Sequence, residues 1–210
     1  MSEEFKAVTE GYDRIGDRYW KWSHASPVRL HWLNWLLATL LPDKVVVDLG
    51  CGPGDPATRM LAQRHRVIGV DGSMVQLQLA KRSAPSARLV RADMSRFALR
   101  SSSVDAVVSF YALGHIPAQR HTPLFATIAE WLRPGGFLLA SAPCVAGDGT
   151  EDDWLGVPMF FGGIGDTATR QSIEQIGMTI ENWQVIEEDE GDGHIVRFLW
   201  LVARKPQVKG

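Results

Sequence analysis

The chain has 210 residues, 45% of them hydrophobic and 22% charged, with a formal net charge of −2. That length suits one domain with a proper buried core, and the near-neutral charge argues against a nucleic-acid surface, which needs clustered Lys and Arg. Two cysteines make no disulfide framework, and Met1-Ser2-Glu3-Glu4-Phe5-Lys6 has neither a basic nor an apolar leader segment, so a cytoplasmic protein without membrane contact is expected.

Residues 3–22 are polar-aromatic and read as helical, with Tyr12, Tyr19, Trp20 and Trp22. Ser26-Pro27 opens a strongly apolar helix that runs to Leu41 and is ended by Pro42. Its apolar run, Trp32 to Leu41, is broken by Asn34 and Thr39 and has half the ~20 residues needed to span a bilayer. Val45 to Leu49 reads as a buried strand entering the turn Gly50-Cys51-Gly52-Pro53-Gly54. Asp55-Pro56 reads as an N-cap followed by proline at the first helical position, which predicts a helix near 55–64. Arg59, Arg64, His65 and Arg66 then lie toward its negative dipole end.

Further strands are predicted near 67–71, 87–91, 104–110, 137–142, 178–187 and 194–204, with helices near 73–83, 118–132 and 166–176. Ser73-Met74-Val75-Gln76 is a capping box. Leu124, Phe125, Ile128, Ala129, Trp131 and Leu132 form one apolar face at helical spacing. Alternating strands and helices imply a mostly parallel sheet with helices on both faces. Glu188 to His194 is too short for a crossover helix, so the last two strands form an antiparallel hairpin around an acidic, solvated turn. Ala142 to Gly165 reads as one long loop; its Trp154, Met159, Phe160 and Phe161 would cover something rather than face water.

The glycine turn decides the ligand class. A dinucleotide fingerprint places its third glycine one residue later, where this chain has Asp55. Asp48 and Asp55 would repel a pyrophosphate but suit an ammonium or a sulfonium, and S-adenosylmethionine carries both. Asp71 ends the second strand 21 positions after Gly50 and can accept hydrogen bonds from both ribose hydroxyls.

From about Tyr12 to Lys205 the chain resembles the class I S-adenosylmethionine-dependent methyltransferases. Asp48 to Gly54 is similar to the family's first motif, where backbone around Gly50, Cys51 and Gly52 holds the methionine part. Asp71 falls at the ribose-binding acid, with Gly72, Ser73 and Met74 beside the adenosine. Ala92-Asp93-Met94 resembles the motif whose Asp reaches the adenine amino group while the next residue packs on the ring. Asp105 to His115, with Phe110 and Tyr111, looks like the fourth strand and the loop facing the acceptor. Leu132-Arg133-Pro134-Gly135-Gly136 looks like the close of the helix before strand five, and Tyr12 to Tyr19 resembles the lid of small-molecule methyltransferases.

The resemblance implies an α/β, doubly wound, mostly parallel seven-stranded sheet in the order 3-2-1-4-5-7-6 with the last strand antiparallel. It implies one domain over 1–210: a helical lid (1–25), a cofactor-binding half (44–142), an acceptor-side loop (143–165), and a C-terminal helix and hairpin (166–205). The implied cofactor is S-adenosyl-L-methionine, held by Tyr19, Asp48, Gly50, Cys51, Gly52, Asp71, Gly72, Ser73, Met74, Asp93, Met94, Phe110 and Tyr111. The implied reaction is methyl transfer to oxygen or nitrogen of a small apolar or aromatic molecule, by a monomer or homodimer.

Such a transfer is an in-line displacement on an activated carbon, so the protein must mainly align the acceptor and exclude water. His115, just past strand four, is the candidate base or positioning group. Tyr12, Trp20, Trp154, Met159 and Phe160 are the candidate acceptor contacts. Asp148, Glu151, Asp152 and Asp153 lack paired ligand spacing, so no metal is expected. Two other readings stay open on sequence alone: use of the cofactor for a step other than methylation, and a non-catalytic binding partner.

Overall fold

The computed structural model of the chain describes residues 2–23, 26–189 and 195–207. Helix α1 (Glu3–Ile15) begins where Ser2 Oγ accepts the Phe5 N–H, and ends at Gly16, whose φ of 60° turns the chain while its N–H bonds the Tyr12 carbonyl. A short α2 (Arg18–Ser23) leads to α3 (Pro27–Thr39), capped by Ser26 Oγ on the Arg29 N–H. Then come β1 (Val45–Leu49), α4 (Ala57–Leu61), β2 (Arg66–Asp71), α5 (Met74–Ser83), β3 (Arg88–Arg91) and β4 (Val104–Ser109). A single turn at Leu113–His115 precedes α6 (Ala118–Trp131), β5 (Leu132–Pro143), β6 (Ala146–Trp154), β7 (Val157–Ile164), α7 (Gly165–Gln175), β8 (Thr179–Asp189) and β9 (Ile195–Arg204).

Seven strands form one sheet in the order β3-β2-β1-β4-β5-β9-β8. The first five run parallel, and β9 pairs antiparallel with both β5 and β8. With the β6–β7 hairpin set aside, this is the expected order. Alternate residues feed opposite faces, as strand geometry requires. Val47, Val107, Leu138 and Leu201 pack against Leu124, Phe125, Ile128 and Trp131 of α6. Val46, Ala106, Val108, Leu139 and Val202 pack on the other face against Trp32, Leu33 and Leu36 of α3.

Three local readings are corrected. Asp55 is not a helix N-cap: α4 starts at Ala57, after Pro56, and the Asp55 carboxylate instead takes the Trp20 Nε1–H and the Arg59 guanidinium. Strand β5 begins at Leu132, pairing with Val104 before a register shift to Ala106 and Phe137; a bulge around Pro134-Gly135-Gly136 carries the strand across residues expected to close the helix.

The segment 143–165 is a two-stranded antiparallel hairpin, β6 and β7, rather than an irregular loop. Its tip explains why. Leu155 and Gly156 both have positive φ, 51° and 83°, the pair of left-handed residues that matches the twist of hairpin strands. Val157 and Met159 of β7 pack with Ile15 and Tyr19, joining the hairpin to α1 and α2 in a small third core. The expected acidic turn runs partly over 190–194, which lie outside the described residues.

Candidate functional site

The carboxyl ends of β1, β2, β3 and β4 meet where the strand order reverses, the place where ligands bind open α/β sheets. The glycine turn after β1 is held by its backbone: the Gly50 and Cys51 N–H groups both donate to the Val70 carbonyl. Gly50 and Gly52 have φ of 71° and 52°, and a Cβ on Gly50 would lie 2.2 Å from Ala112 Cβ. Asp71 braces the turn from β2, accepting the Gly52 N–H on one oxygen and the Ser73 N–H on the other, each at 2.8 Å. Burial pushes its carboxyl up to about 6 against these bonds.

Asp48 is 2% exposed and accepts the Thr58 hydroxyl at 2.7 Å. Burial raises its carboxyl to about 6 as well, from the ordinary 3.8. A folded pKa above the unfolded one favours folding at low pH, and that contribution is lost as pH rises through about 6. Asp48→Asn removes the penalty of burying a charge. Its stability relative to the parent is therefore expected to improve between about pH 4.5 and about pH 7.5, read by urea unfolding at each pH. An unchanged difference across that window would refute the assignment.

A cavity of about 60 Å³ lies beside Asp71, Asp93, Met94 and Phe110, with Phe5, Thr9 and Tyr12 of α1 as its roof. A smaller recess of about 20 Å³ adjoins it on the far side of Gly50 and Gly52, walled by Arg29, Asp48, Cys51 and Asp55. On the open side is a cleft of about 840 Å³, walled by Trp22, Trp154, Phe161 and Phe198, with Cys144 and Arg197. Tyr12, Tyr19, Tyr111 and His115 border both the first cavity and this cleft.

That shared border is rigidly built. His115 Nδ1 lies 3.0 Å from the Phe160 carbonyl and its Nε2 lies 2.8 Å from the Tyr12 hydroxyl. Tyr12 also meets Tyr19 and Trp154 edge-on. Tyr111 adopts a φ of 57°, a costly conformation for a bulky residue. Ser141 Oγ accepts its N–H at 2.7 Å, and its hydroxyl donates to Glu188 at 2.6 Å; the other Glu188 oxygen takes the Trp200 Nε1–H. Glu188→Ala leaves the Trp200 N–H without its acceptor and the Tyr111 hydroxyl with Ser26 Oγ at 2.7 Å, and should cost about 1–3 kcal/mol in urea unfolding. Glu188→Gln keeps an oxygen for one donor and should recover part of that loss. Equal stability of parent and alanine variant would refute the anchoring role.

Residues 46–136 match a family model described as a methyltransferase domain. The trans-aconitate 2-methyltransferase of Delftia acidovorans is 30% identical over 193 residues, covering 79% of this chain and 71% of that protein. The enzyme of the same name from Azoarcus sp. is 36% identical over 101 residues, which span 47% of this chain and 38% of the relative. Among solved structures, the DhpI–SAH complex superposes over 100% of both chains with a TM-score of 0.68 at 19% identity, a likeness of fold.

The chain belongs to the class I S-adenosylmethionine-dependent methyltransferases.

The methyltransferase has a donor set that fits its cofactor. A buried guanidinium and carboxylates share one recess, a carboxylate ends β2, and apolar Ala92 and Met94 wall the cavity beyond it. Gly52 offers no side chain to the space before Tyr19, whose ring a Cβ would reach at 3.5 Å. The structure gathers Tyr19, Gly50, Gly52, Asp71, Gly72, Ser73, Asp93, Met94, Phe110, Tyr111 and His115 around the one cavity. Asp48 and Cys51 line the neighbouring recess.

Other expected contacts lie elsewhere. Met74 is 42% exposed on α5, and Trp20 sits over the glycine turn on Asp55 rather than in the cleft. Met159 is buried between the hairpin and α1, and Phe160 contributes its carbonyl rather than its ring. Trp154 and Tyr12 do line the cleft.

Two site residues of the methyltransferase were not singled out from the sequence. Arg29 is 5% exposed, with its guanidinium 5.3 Å from the Tyr111 ring centre. Its signal was a cation within an otherwise apolar helical stretch. Glu188 was hidden in a run of acids, and no local pattern separated it from its neighbours.

Proposed function

We propose that this methyltransferase transfers its methyl group to an oxygen or nitrogen of a small, largely apolar or aromatic molecule seated in the cleft. The supporting observation is the common border: a cleft of about 840 Å³ with aromatic walls meets the cofactor cavity at Tyr12, Tyr19, Tyr111 and His115. That volume is in the range of small-molecule sites. The name of the relatives, trans-aconitate 2-methyltransferase, supports the small size of the acceptor alone.

When bound, S-adenosylmethionine supplies a methyl group already activated on a sulfonium. The chain's own residues orient and enclose it. Asp71 accepts the ribose hydroxyls, and Asp93 accepts from the adenine amino group while Met94 packs on the ring. Arg29 takes the methionine carboxylate, with Asp48 and Asp55 near the ammonium. The aromatic faces of Tyr12 and Tyr19 favour the cationic sulfur. The hairpin β6–β7 forms the acceptor wall, and α1 and α2 close the lid of what is a single domain.

The experiment is calorimetric titration with S-adenosylmethionine, S-adenosylhomocysteine and NADH, followed by a screen of small acceptors for a methyl mass gain. Binding of the first two alone, with a mass gain on an acceptor, is the expected result. Cofactor binding with recovery of intact S-adenosylmethionine after turnover would sink the methyl-transfer reading.

A further inference from the structure

We propose that the acceptor group is a carboxylate, ionised before it enters the cleft, and that His115 is a positioning residue rather than a base. The inference rests on the methyl-transfer reading above. A base must offer a lone pair to the acceptor's proton, directly or through one relay group. The Phe160 carbonyl has no proton to give, so His115 Nδ1 donates to it; Nε2 is left unprotonated and takes the Tyr12 hydroxyl proton. Neither ring nitrogen is left to face the cleft.

The surroundings do not help His115 gain a proton. Its ring is faced by Tyr12 from α1 and by Trp154 and Phe161 from the hairpin, none of them charged. Burial lowers its pKa to about 4, only partly opposed by the Phe160 carbonyl. Passing a proton from an ordinary phenol through Tyr12 to such an imidazole is uphill by a factor of roughly a million. Tyr111 is no substitute, because its own proton is held on Glu188. Tyr19 turns its ring onto Tyr12 and Trp154.

Among the described residues that line the cleft, Arg197 is the cation that could meet an acceptor anion, and Asp148 and Glu151 are the acids. Arg197 lines it beside Cys144, while Asp148 is already bonded to the Ala118 N–H and Glu151 lies on the exposed strand β6. An alcohol, phenol or ammonium would have to lose a proton in this site. A carboxylate has none to lose. Its oxygen lone pair forms the new C–O bond as the C–S bond breaks, the bonding pair stays on sulfur, and the products are a methyl ester and a neutral thioether. In this scheme His115 fixes the Tyr12 hydroxyl, and Tyr12 fixes the border between cofactor and acceptor.

The test offers benzoate, phenylacetate and trans-aconitate against phenol, 2-phenylethanol and phenethylamine, each with S-adenosylmethionine. Methyl esters from the acid arm are expected, with a rate at saturating cofactor that is flat from about pH 7 to about pH 9. His115→Gln, whose amide oxygen can take the Tyr12 proton, should keep kcat within about tenfold, whereas loss of a true base costs 10²–10⁴-fold. Nitrogen-15 spectra of histidine-labelled protein with S-adenosylhomocysteine should show His115 neutral and Nδ1-protonated from about pH 5 upward. Methylation confined to the phenol or amine arm, a rate rising with pH that His115→Gln abolishes, or a His115 ring titrating near 6.5 would each overturn the proposal. Cofactor binding without turnover of any acid overturns the carboxylate assignment and leaves methyl transfer standing. Failure to bind the cofactor overturns methyl transfer itself.

Discussion

Gly50→Ala is expected to remove cofactor binding and to destabilise the protein by about 2–5 kcal/mol. Two independent costs add at this position. The φ of 71° lies in the left-handed region, where a Cβ costs about 1–2 kcal/mol. The new methyl would also stand 2.2 Å from Ala112 Cβ and 3.2 Å from Met94 Cε, so either the glycine turn or the segment after β4 must move. Overpacking of that kind costs about 1–3 kcal/mol. The movement matters more than the energy, because Gly50 N–H anchors the turn to Val70 and Gly52 N–H anchors it to Asp71. Urea unfolding and calorimetry with S-adenosylhomocysteine check both parts. Gly149→Ala is the control: nothing lies within 4 Å of its Cβ position, and both readings should match the parent. Binding within about threefold of the parent in Gly50→Ala would show that the turn has slack its contacts do not suggest.

Asp71→Asn should weaken cofactor binding about 10- to 150-fold, equivalent to about 1.5–3 kcal/mol for charge-assisted hydrogen bonds. The carboxylate already accepts two backbone N–H groups, from Gly52 and Ser73. Its remaining lone pairs are what two ribose hydroxyls would use. An amide has one oxygen and two donor hydrogens, so its NH₂ must stand where a carboxylate oxygen accepted one of these backbone N–H groups. Both the turn and the ligand lose a partner. The same geometry predicts weaker binding by the parent protein as pH falls through about 6, where the buried carboxyl takes up its proton. Calorimetry at about pH 5 and about pH 7.5 separates the two effects, since the asparagine variant lacks that dependence.

The parallel half of the fold was legible because its signals are local. Val45 to Leu49 and Val67 to Asp71 are short apolar runs ending in an acid, and Ser73 and Ser26 cap helices as their side chains allow. The β6–β7 hairpin was not legible for a physical reason. Strand β6 is exposed along nearly all of its length and carries acids and glycines, so it has no hydrophobic alternation to read. Its turn at Leu155-Gly156 contains a leucine in a conformation that asparagine or glycine usually signals. The site divided in the same way. Asp71 announced itself by its distance from the glycine turn. The roles of Arg29, Glu188 and the Phe160 carbonyl depend on contacts across 82, 77 and 45 residues, beyond any local pattern.

Helix α1 ties itself down at several points. Asp13 accepts the Ser73 hydroxyl and the Val75 N–H, Gln76 donates to the Gly16 carbonyl, and Phe5 and Thr9 press on Gly72. Phe5, Thr9 and Tyr12 of this helix roof the cavity of about 60 Å³ beneath it, and a ligand bound there would pass that roof on entering and on leaving. Loosening Asp13 is expected to speed the release of S-adenosylhomocysteine, read as a faster off-rate in stopped-flow displacement.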